Sequence, residues 1–458
     1  MISFHKYKRI YRQSHLCIFV LISALSLYSN AKDPDSGLVA QPSSFSLATL
    51  SLHRLLQKVI LEHPQVKSQM QAVLATGQDV LVAQQAYWPT PSIAMERAQS
   101  QAIDPVYAGS PQVLTLKLQQ PLWTGGRLTA QNQKAMAARA IESARLLEIQ
   151  QTLALKALQT WTELVSSQRQ QSILRSSVQT QTELLNKIQR RVDQGLASQS
   201  EANYSSLRLQ QVKQELNNAH QQEKQAWVRL KQWVPNAAEL TSGLEPQGPV
   251  NKLPNSTEIA LEIFKLSERQ WELLSIEQSP LLRRLESVSQ QQQADLDEKH
   301  AAQMPEVYVR AEHQRGNFAY AHLQPMNRLF IGLTASTGAG LSLSHQLAAL
   351  QLKRDGTLED IAAGQRTVIE VLQSDLVNAN ARQSKLSALQ LNLESSKEMQ
   401  AAWERQFING KKTWIDVMNA TRETTQAELA VLENDIALLH SYWRLEIQTL
   451  GVQRWAAP

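Results

Sequence analysis

The stretch Val113–Arg127 reads VLTLKLQQPLWTGGR and joins a strand pattern directly to a helix pattern. Leucine occupies every second position from Leu114 to Leu118, and this period of two places the leucines on one face of a half-buried strand. Pro121 has no N–H to donate and is expected to end the strand ladder. Gly125 and Gly126 supply a turn before a long helical pattern. An edge strand of a soluble α+β protein would begin in the same way, so the rest of the chain must decide between the two interpretations.

The first 31 residues have the pattern of an export signal. A basic segment, Lys6–Arg12, precedes the apolar core Leu16–Leu27, and Ser29–Ala31 forms a small-x-small cleavage site. A spanning helix needs about 20 apolar residues, so an uncleaved anchor is the less favoured alternative. The residue before Cys17 is not small, and no lipid anchor is expected.

Composition excludes several classes of partner and chemistry. The chain has 46 basic and 41 acidic residues, and four of the basic ones lie in the signal, so the exported part is nearly neutral. We therefore expect no nucleic-acid partner. The single cysteine leaves with the signal. P-loop, GxSxG, HExxH and CxxC patterns are missing, which predicts a protein that is not an enzyme and holds no cofactor or metal.

A helical pattern without proline or glycine runs from Leu128 to Asp193. A helix of that length spans roughly 100 Å and suggests a coiled-coil rod. Gly195 ends this pattern, and a returning helix is expected from about Ser200 to Val234. A linker rich in proline, glycine and asparagine follows.

Five landmarks then recur after 214 to 216 residues, which predicts two tandem copies of one unit. The matching pairs are His63-Pro64 with Ser279-Pro280, Trp88-Pro89 with Met304-Pro305, Gly126 with Gly340, Gly195 with Gly410, and Arg229-Leu230 with Arg444-Leu445. The predicted boundaries are a signal peptide at 1–31, a first repeat at 32–234, a linker at 235–257, a second repeat at 258–451 and a tail at 452–458. Strands are predicted near 91–97, 113–120, 306–313 and 329–343, and tight turns near 194–199 and 409–413.

Four strands cannot stand alone in a membrane, because their open edges would leave N–H and C=O groups unpaired in lipid. Three copies of the chain would supply twelve strands, an even number in the usual range for a membrane β-barrel. The expected fold is therefore mainly α, with a shared twelve-stranded barrel and an α-helical tunnel formed by a trimer. The alternative is a water-soluble trimeric coiled coil whose strands form a small cap.

Three motifs resemble those of the TolC family of outer-membrane factors. They are the corner Gln120–Arg127, the turn Arg191–Gly195, and the second turn Arg405–Gly410 with its continuation Thr413–Ala420. The resemblance covers the whole chain after the signal. It implies a homotrimeric channel with its barrel in outer-membrane lipid and its helical tunnel in the periplasm.

The resemblance also implies partners and a function. A periplasmic adaptor would join the channel to an inner-membrane ABC or proton-driven transporter, in a tripartite efflux or type I secretion system. The channel itself would be a passive conduit to the exterior. A trimeric surface stalk or adhesin without channel activity is the alternative.

Family positions assign roles to the residues around the two turns and the two corners. The resemblance implies a periplasmic gate at Glu201, Phe407, Lys412 and Asp416. Phenylalanine replaces a tyrosine at Phe407 and cannot donate a hydroxyl hydrogen bond, which leaves more of the gate to a Lys412–acid link. The adaptor-facing residues would be Arg191, Gly195, Arg405 and Gly410. The corner between barrel and tunnel would use Pro121, Gly125, Gly126, Gly338 and Gly340.

Overall fold

A computed structural model describes residues 47–99, 105–233, 266–321, 323–335 and 340–456, all within the unit Ser46–Pro458. The expected signal peptide (1–31) and the linker (235–257) lie outside these described residues. So does Gly338, one of the predicted corner residues.

The same order of elements occurs twice along the described chain. The first set is α1 (Leu47–Glu62), α2 (Pro64–Gln85), β1 (Thr90–Arg97), β2 (Gln112–Trp123), α3 (Arg127–Asp193) and α4 (Gln199–Trp233). The second set is α5 (Glu268–Gln278), α6 (Pro280–Ala301), β3 (Glu306–Arg315), β4 (Met326–Thr334), α7 (Leu343–Ile408) and α8 (Trp414–Thr449), and the short helix α9 (Gln453–Ala456) follows.

The long helices α3 and α7 have 67 and 66 residues. Each is therefore about 100 Å long at 1.5 Å per residue. Each is followed by a shorter helix, and α3 contacts α4 as α7 contacts α8. None of the helices in the described ranges is both long enough and apolar enough to cross a membrane.

The four strands form one antiparallel sheet in the order β1-β2-β3-β4. The central pair, β2 with β3, joins the two repeats. Leu116 lies opposite Ile93 of β1 and opposite His313 of β3. Leu329 of β4 lies opposite Ala311 of β3. This register fixes which side chains share a face of the sheet.

Pro121 does not end strand β2, contrary to the sequence prediction. The strand continues to Trp123, and the register with β3 shifts between Pro121 and Trp123. The last residue of β2 that pairs with β1 is Gln119. Pro121 thus lies where β2 has a strand on one side only, and there a missing N–H costs little.

The strand predicted at 329–343 is too long at its C-terminal end. Strand β4 ends at Thr334, which pairs with Glu306, the first residue of β3. Beyond that point the ladder has no partner residues. Gly340 has a φ of +52° and opens a 3₁₀ turn, Gly340–Ser342, so that Leu343 begins α7.

The main apolar core lies around α3, where this helix contacts both α1 and α8. Leu55, Leu158 and Leu438 are fully buried there. Each buried leucine contributes about 1.5–3 kcal/mol. The last helix also reaches this core, because the Trp455 ring lies 5.3 Å from that of Trp443. This core holds together the first and the last helices of the described chain.

Candidate functional site

The turn between α3 and α4 and the turn between α7 and α8 have the same backbone conformation. Gly195 and Gly410 both have a φ of +71°, in the left-handed region that glycine adopts without steric cost. The N–H of each glycine donates to the carbonyl three residues earlier, at 2.9 Å in the first turn and 3.0 Å in the second. The next N–H donates to the carbonyl five residues earlier, at 2.8 Å and 2.9 Å. Two glycines thus end two long helices by the same device.

We expect Gly195→Ala and Gly410→Ala to loosen their turns. Nothing lies within 4 Å of a Cβ added at either position, so the cost is conformational, about 1–2 kcal/mol. Hydrogen exchange of the turn amides should accelerate by about 5- to 30-fold. The matched control is Gly77→Ala inside α2, where glycine has ordinary helical φ and alanine is the better helix former. Equal exchange in the turn variants and in the control would contradict the prediction.

A buried apolar cluster, here called the tip cluster, holds the two turns together. Its buried members are Leu184, Ile188, Ala202, Trp414, Val417 and Met418. Trp414 is only 1% exposed, and its indole N–H donates to the hydroxyl of Ser205 on α4. The ring is therefore packed in apolar surroundings while its one polar atom has a partner.

Sequence reasoning gave Trp414 and Ser205 no role. A signal for Trp414 was present, since it shares a helix face with Val417 and Met418 at spacings of three and four. No comparable signal marked Ser205, whose partner lies 209 residues away in the chain.

Two acids of the predicted gate, Glu201 and Asp416, cap the helices that start after the turns. Asp416 Oδ2 accepts hydrogen bonds from the N–H of Thr413 at 3.0 Å and from its hydroxyl at 2.8 Å. Glu201 Oε2 accepts one from the N–H of Ser198 at 3.0 Å. The hydrogen bonds from Thr413, with a smaller attraction from Lys412, lower the pKa of Asp416 below its usual value. Both carboxylates therefore form capping boxes.

The other two predicted gate residues take part in cation–π contacts at the tip, one within the second turn and one between the two turns. Lys412 Nζ lies 4.1 Å from the ring centroid of Trp403. The guanidinium carbon of Arg191, in the first turn, lies 4.7 Å from the ring centroid of Phe407, in the second. Such cation–π contacts contribute about 0.5–1 kcal/mol at exposed sites. Among the described residues, Lys412 makes no ion pair with Asp416.

The outer surface of the turns carries exposed apolar and basic side chains. Ile408 is 76% exposed, and Leu196 and Ile415 are also exposed. Arg405, predicted to face an adaptor, is exposed beside Ile408. Apolar side chains with basic neighbours are typical of a surface that binds another protein.

The first predicted corner, between β2 and α3, requires glycine for two different reasons. Gly125 and Gly126 have φ values of +63° and +93°. A Cβ added to Gly125 would overlap the side chain of Met304, whereas a Cβ on Gly126 would meet nothing within 4 Å. Next to the corner, Arg127 forms an ion pair with Glu306 at 2.5 Å. The corner of the first repeat is thereby fixed to the start of β3.

In the sheet of a soluble protein the apolar face is buried and the polar face is exposed. The sheet of this chain has the reverse arrangement. One face, here called the outer face, carries exposed apolar side chains: Ile93, Met95, Leu116, Leu118, Leu329, Ile331 and Leu333. Ile331 is 79% exposed. On the opposite, inner face, Arg328 and Phe330 of the same strand are half-buried. An exposed apolar surface of this extent marks a region that lipid or protein covers.

The sequence of this chain was compared with known protein families and with curated proteins. The outer membrane efflux protein family matches residues 55–234. A search of curated proteins gives no significant match. In the described part of the chain, no cluster of three His, Cys, Asp or Glu residues could hold a metal ion.

Solved structures share the fold at low sequence identity. A membrane protein from Pseudomonas aeruginosa superposes with a TM-score of 0.73 at 14% identity, over 92% of this chain and 96% of that one. The Campylobacter jejuni CmeC outer membrane channel gives 0.71 at 14%, over 92% and 94%. The open state of the Neisseria gonorrhoeae MtrE outer membrane channel gives 0.64 at 15%, over 92% and 97%.

The matched family consists of outer membrane efflux proteins, and the Campylobacter and Neisseria neighbours are outer membrane channels; none of these is an enzyme, in agreement with the sequence prediction. The family match covers most of the first repeat, and the shared fold covers 92% of this chain. The resemblance of this chain to TolC-family outer-membrane efflux proteins, predicted from the sequence, is thereby confirmed.

Proposed function

We propose that three copies of this chain form a channel that conducts substrate passively from a periplasmic adaptor and an inner-membrane transporter to the exterior. Each copy would contribute its four strands to one twelve-stranded barrel in the outer membrane. The long helices would form a tunnel in the periplasm. The observation that carries this proposal is the sheet, which exposes its apolar face and half-buries its charged one.

Strand length and sheet edges support the shared barrel. The strands have 8, 12, 10 and 9 residues, and a membrane strand needs about 9–11. Strands β1 and β4 each have one edge without a partner in the described sheet. Lipid offers no hydrogen bonds to such edges, so each must pair with another copy. Pairing β4 of one copy with β1 of the next would close the barrel.

The turns at the far ends of α3 and α7 support a junction with an adaptor. Their exposed surface includes Leu196, Ile408 and Arg405, together with the helix-ending glycines. Within one copy, Asp416 is occupied by its cap and Lys412 by Trp403. A gate built from these residues would therefore act between copies, where Lys412 of one copy meets an acid of the next.

Ion conductance of the purified protein in planar lipid bilayers tests this proposal. We expect stepwise current increases as single trimers insert, because the tunnel is filled with water. A chemically cross-linked sample should give a trimer band. A trimeric surface stalk or adhesin would give the trimer band without current, and that result would overturn the channel.

A further inference from the structure

The inner face of the sheet carries a belt of charged side chains on two adjacent rows. Lys117 of β2, Glu312 of β3 and Arg328 of β4 lie opposite one another in one row. Arg310 of β3 lies in the next row, opposite Gln119 and Phe330. Rows on one face are two residues apart, about 7 Å along the strand. Lys117, Arg310, Glu312 and Arg328 are called the belt below.

One carboxylate in the belt is shared by two guanidinium groups. Glu312 lies 3.7 Å from Arg310 Nε and 3.9 Å from Arg328 Nη1. Both separations exceed hydrogen-bond length, so the pairing is loose. The Arg310 guanidinium carbon also lies 4.7 Å from the Phe330 ring centroid. This contact fixes the cation without neutralising it.

Lys117 has no acidic partner within ion-pairing distance among the described residues. The belt therefore contains three cations and one carboxylate, a net charge of +2 per chain. The other acids of the inner face are Glu96, at the end of β1, and Glu306, at the start of β3. Each lies four residues along its own strand from the nearest row of the belt, roughly 13 Å away. Salt screens charges beyond about 8 Å at physiological ionic strength, and Glu306 is already paired with Arg127.

We infer that the belt makes the pore of this protein selective for anions. The inference rests on the proposed channel, in which the inner face lines the lumen and three belts form one ring of net charge +6. Rings of lysine and arginine attract anions into a pore and repel cations from it. The preferred solutes are small inorganic anions and organic solutes that carry carboxylate, sulfate or phosphate groups.

The reversal potential of single channels in a potassium chloride gradient tests the inference. Wild-type channels should pass chloride in preference to potassium. Lys117 is the residue to change, since among the described residues it forms no ion pair that the substitution would break. Lys117→Arg keeps a net +2 per chain, Lys117→Gln gives +1 and Lys117→Glu gives zero. The ratio of chloride to potassium permeability should stay unchanged in the first variant and fall stepwise in the others, by about threefold or more in Lys117→Glu.

The possible outcomes distinguish a failure of the anion-selectivity proposal from a failure of the proposed channel function. A protein that gives no current at all contradicts the proposed function. A channel that conducts but prefers potassium, or whose selectivity is the same in all three variants, overturns the belt alone. If Lys117→Glu does not insert, the comparison of Lys117→Gln with Lys117→Arg decides the question, because both variants keep a long polar side chain and neither introduces a negative charge.

Discussion

Replacing Ile331 by arginine is expected to deplete the protein from the outer membrane by at least tenfold. Ile331 lies in the middle of β4 and is 79% exposed on the outer face. An arginine at the midplane of the lipid face of a membrane barrel costs about 2–4 kcal/mol. Three copies repeat that cost in one trimer, which brings the total to about 6–12 kcal/mol. The amount of cross-linked trimer in purified outer membranes measures the effect.

The matched control is Gln119→Arg, which places the same cation on the inner face of β2. Gln119 lies opposite Arg310 in the same sheet, so the control introduces an arginine at a similar depth. In the proposed channel this side chain reaches water, and insertion should be close to wild type. Equal insertion of both variants would mean that lipid does not cover the outer face. Loss of both would point to a general intolerance of arginine in the sheet.

The faces of the sheet could be read from the sequence because strand side chains alternate strictly. The pattern that ends at Leu118 predicted which side of β2 is apolar, and the second repeat followed the same rule. The extent of the strands could not be read in this way. Pro121 stays in β2 because β1 begins at Thr90, opposite Gln119, and does not extend alongside Pro121. Strand β4 stops at Thr334 because its partner β3 begins at Glu306. Both limits depend on partner strands and not on the local sequence.

The ends of the long helices were also predictable, because a left-handed residue at a helix end favours glycine. The side-chain contacts of the tip were not. The sequence did not predict that, within one copy, Lys412 lies over Trp403 and Asp416 caps its own helix. These side-chain contacts depend on how separate helices pack, which the periodicity of the sequence alone does not reveal. The role of these residues in a gate remains a prediction.

We expect Trp414→Ala to release the two turns from each other. Trp414 is the largest buried side chain of the tip cluster and contacts residues of both repeats. Removing a buried aromatic ring costs about 3–5 kcal/mol, since the cavity it leaves closes only in part. Hydrogen exchange of amides around Ile188 and Ala202 should accelerate by about two to four orders of magnitude. Amides of the core at Leu158 and Leu438 should exchange as in the wild type.

Two further variants distinguish the contribution of the Trp414 ring from that of its hydrogen bond and from that of a less buried tryptophan. Trp414→Phe keeps most of the apolar volume but leaves the Ser205 hydroxyl without its indole donor, so its effect should be smaller, about 1–3 kcal/mol. Trp403→Ala removes a half-buried tryptophan that packs against the edge of the cluster, and its effect on exchange should be smaller than that of Trp414→Ala. Similar exchange in Trp414→Ala and Trp403→Ala would contradict the role of Trp414 as the link between the turns.

Bilayer conductance of the same variants then tests the gate, because a tip that opens more readily should carry more current. A loosened tip with unchanged conductance would remove the tip cluster from the proposed gate while leaving its structural role intact.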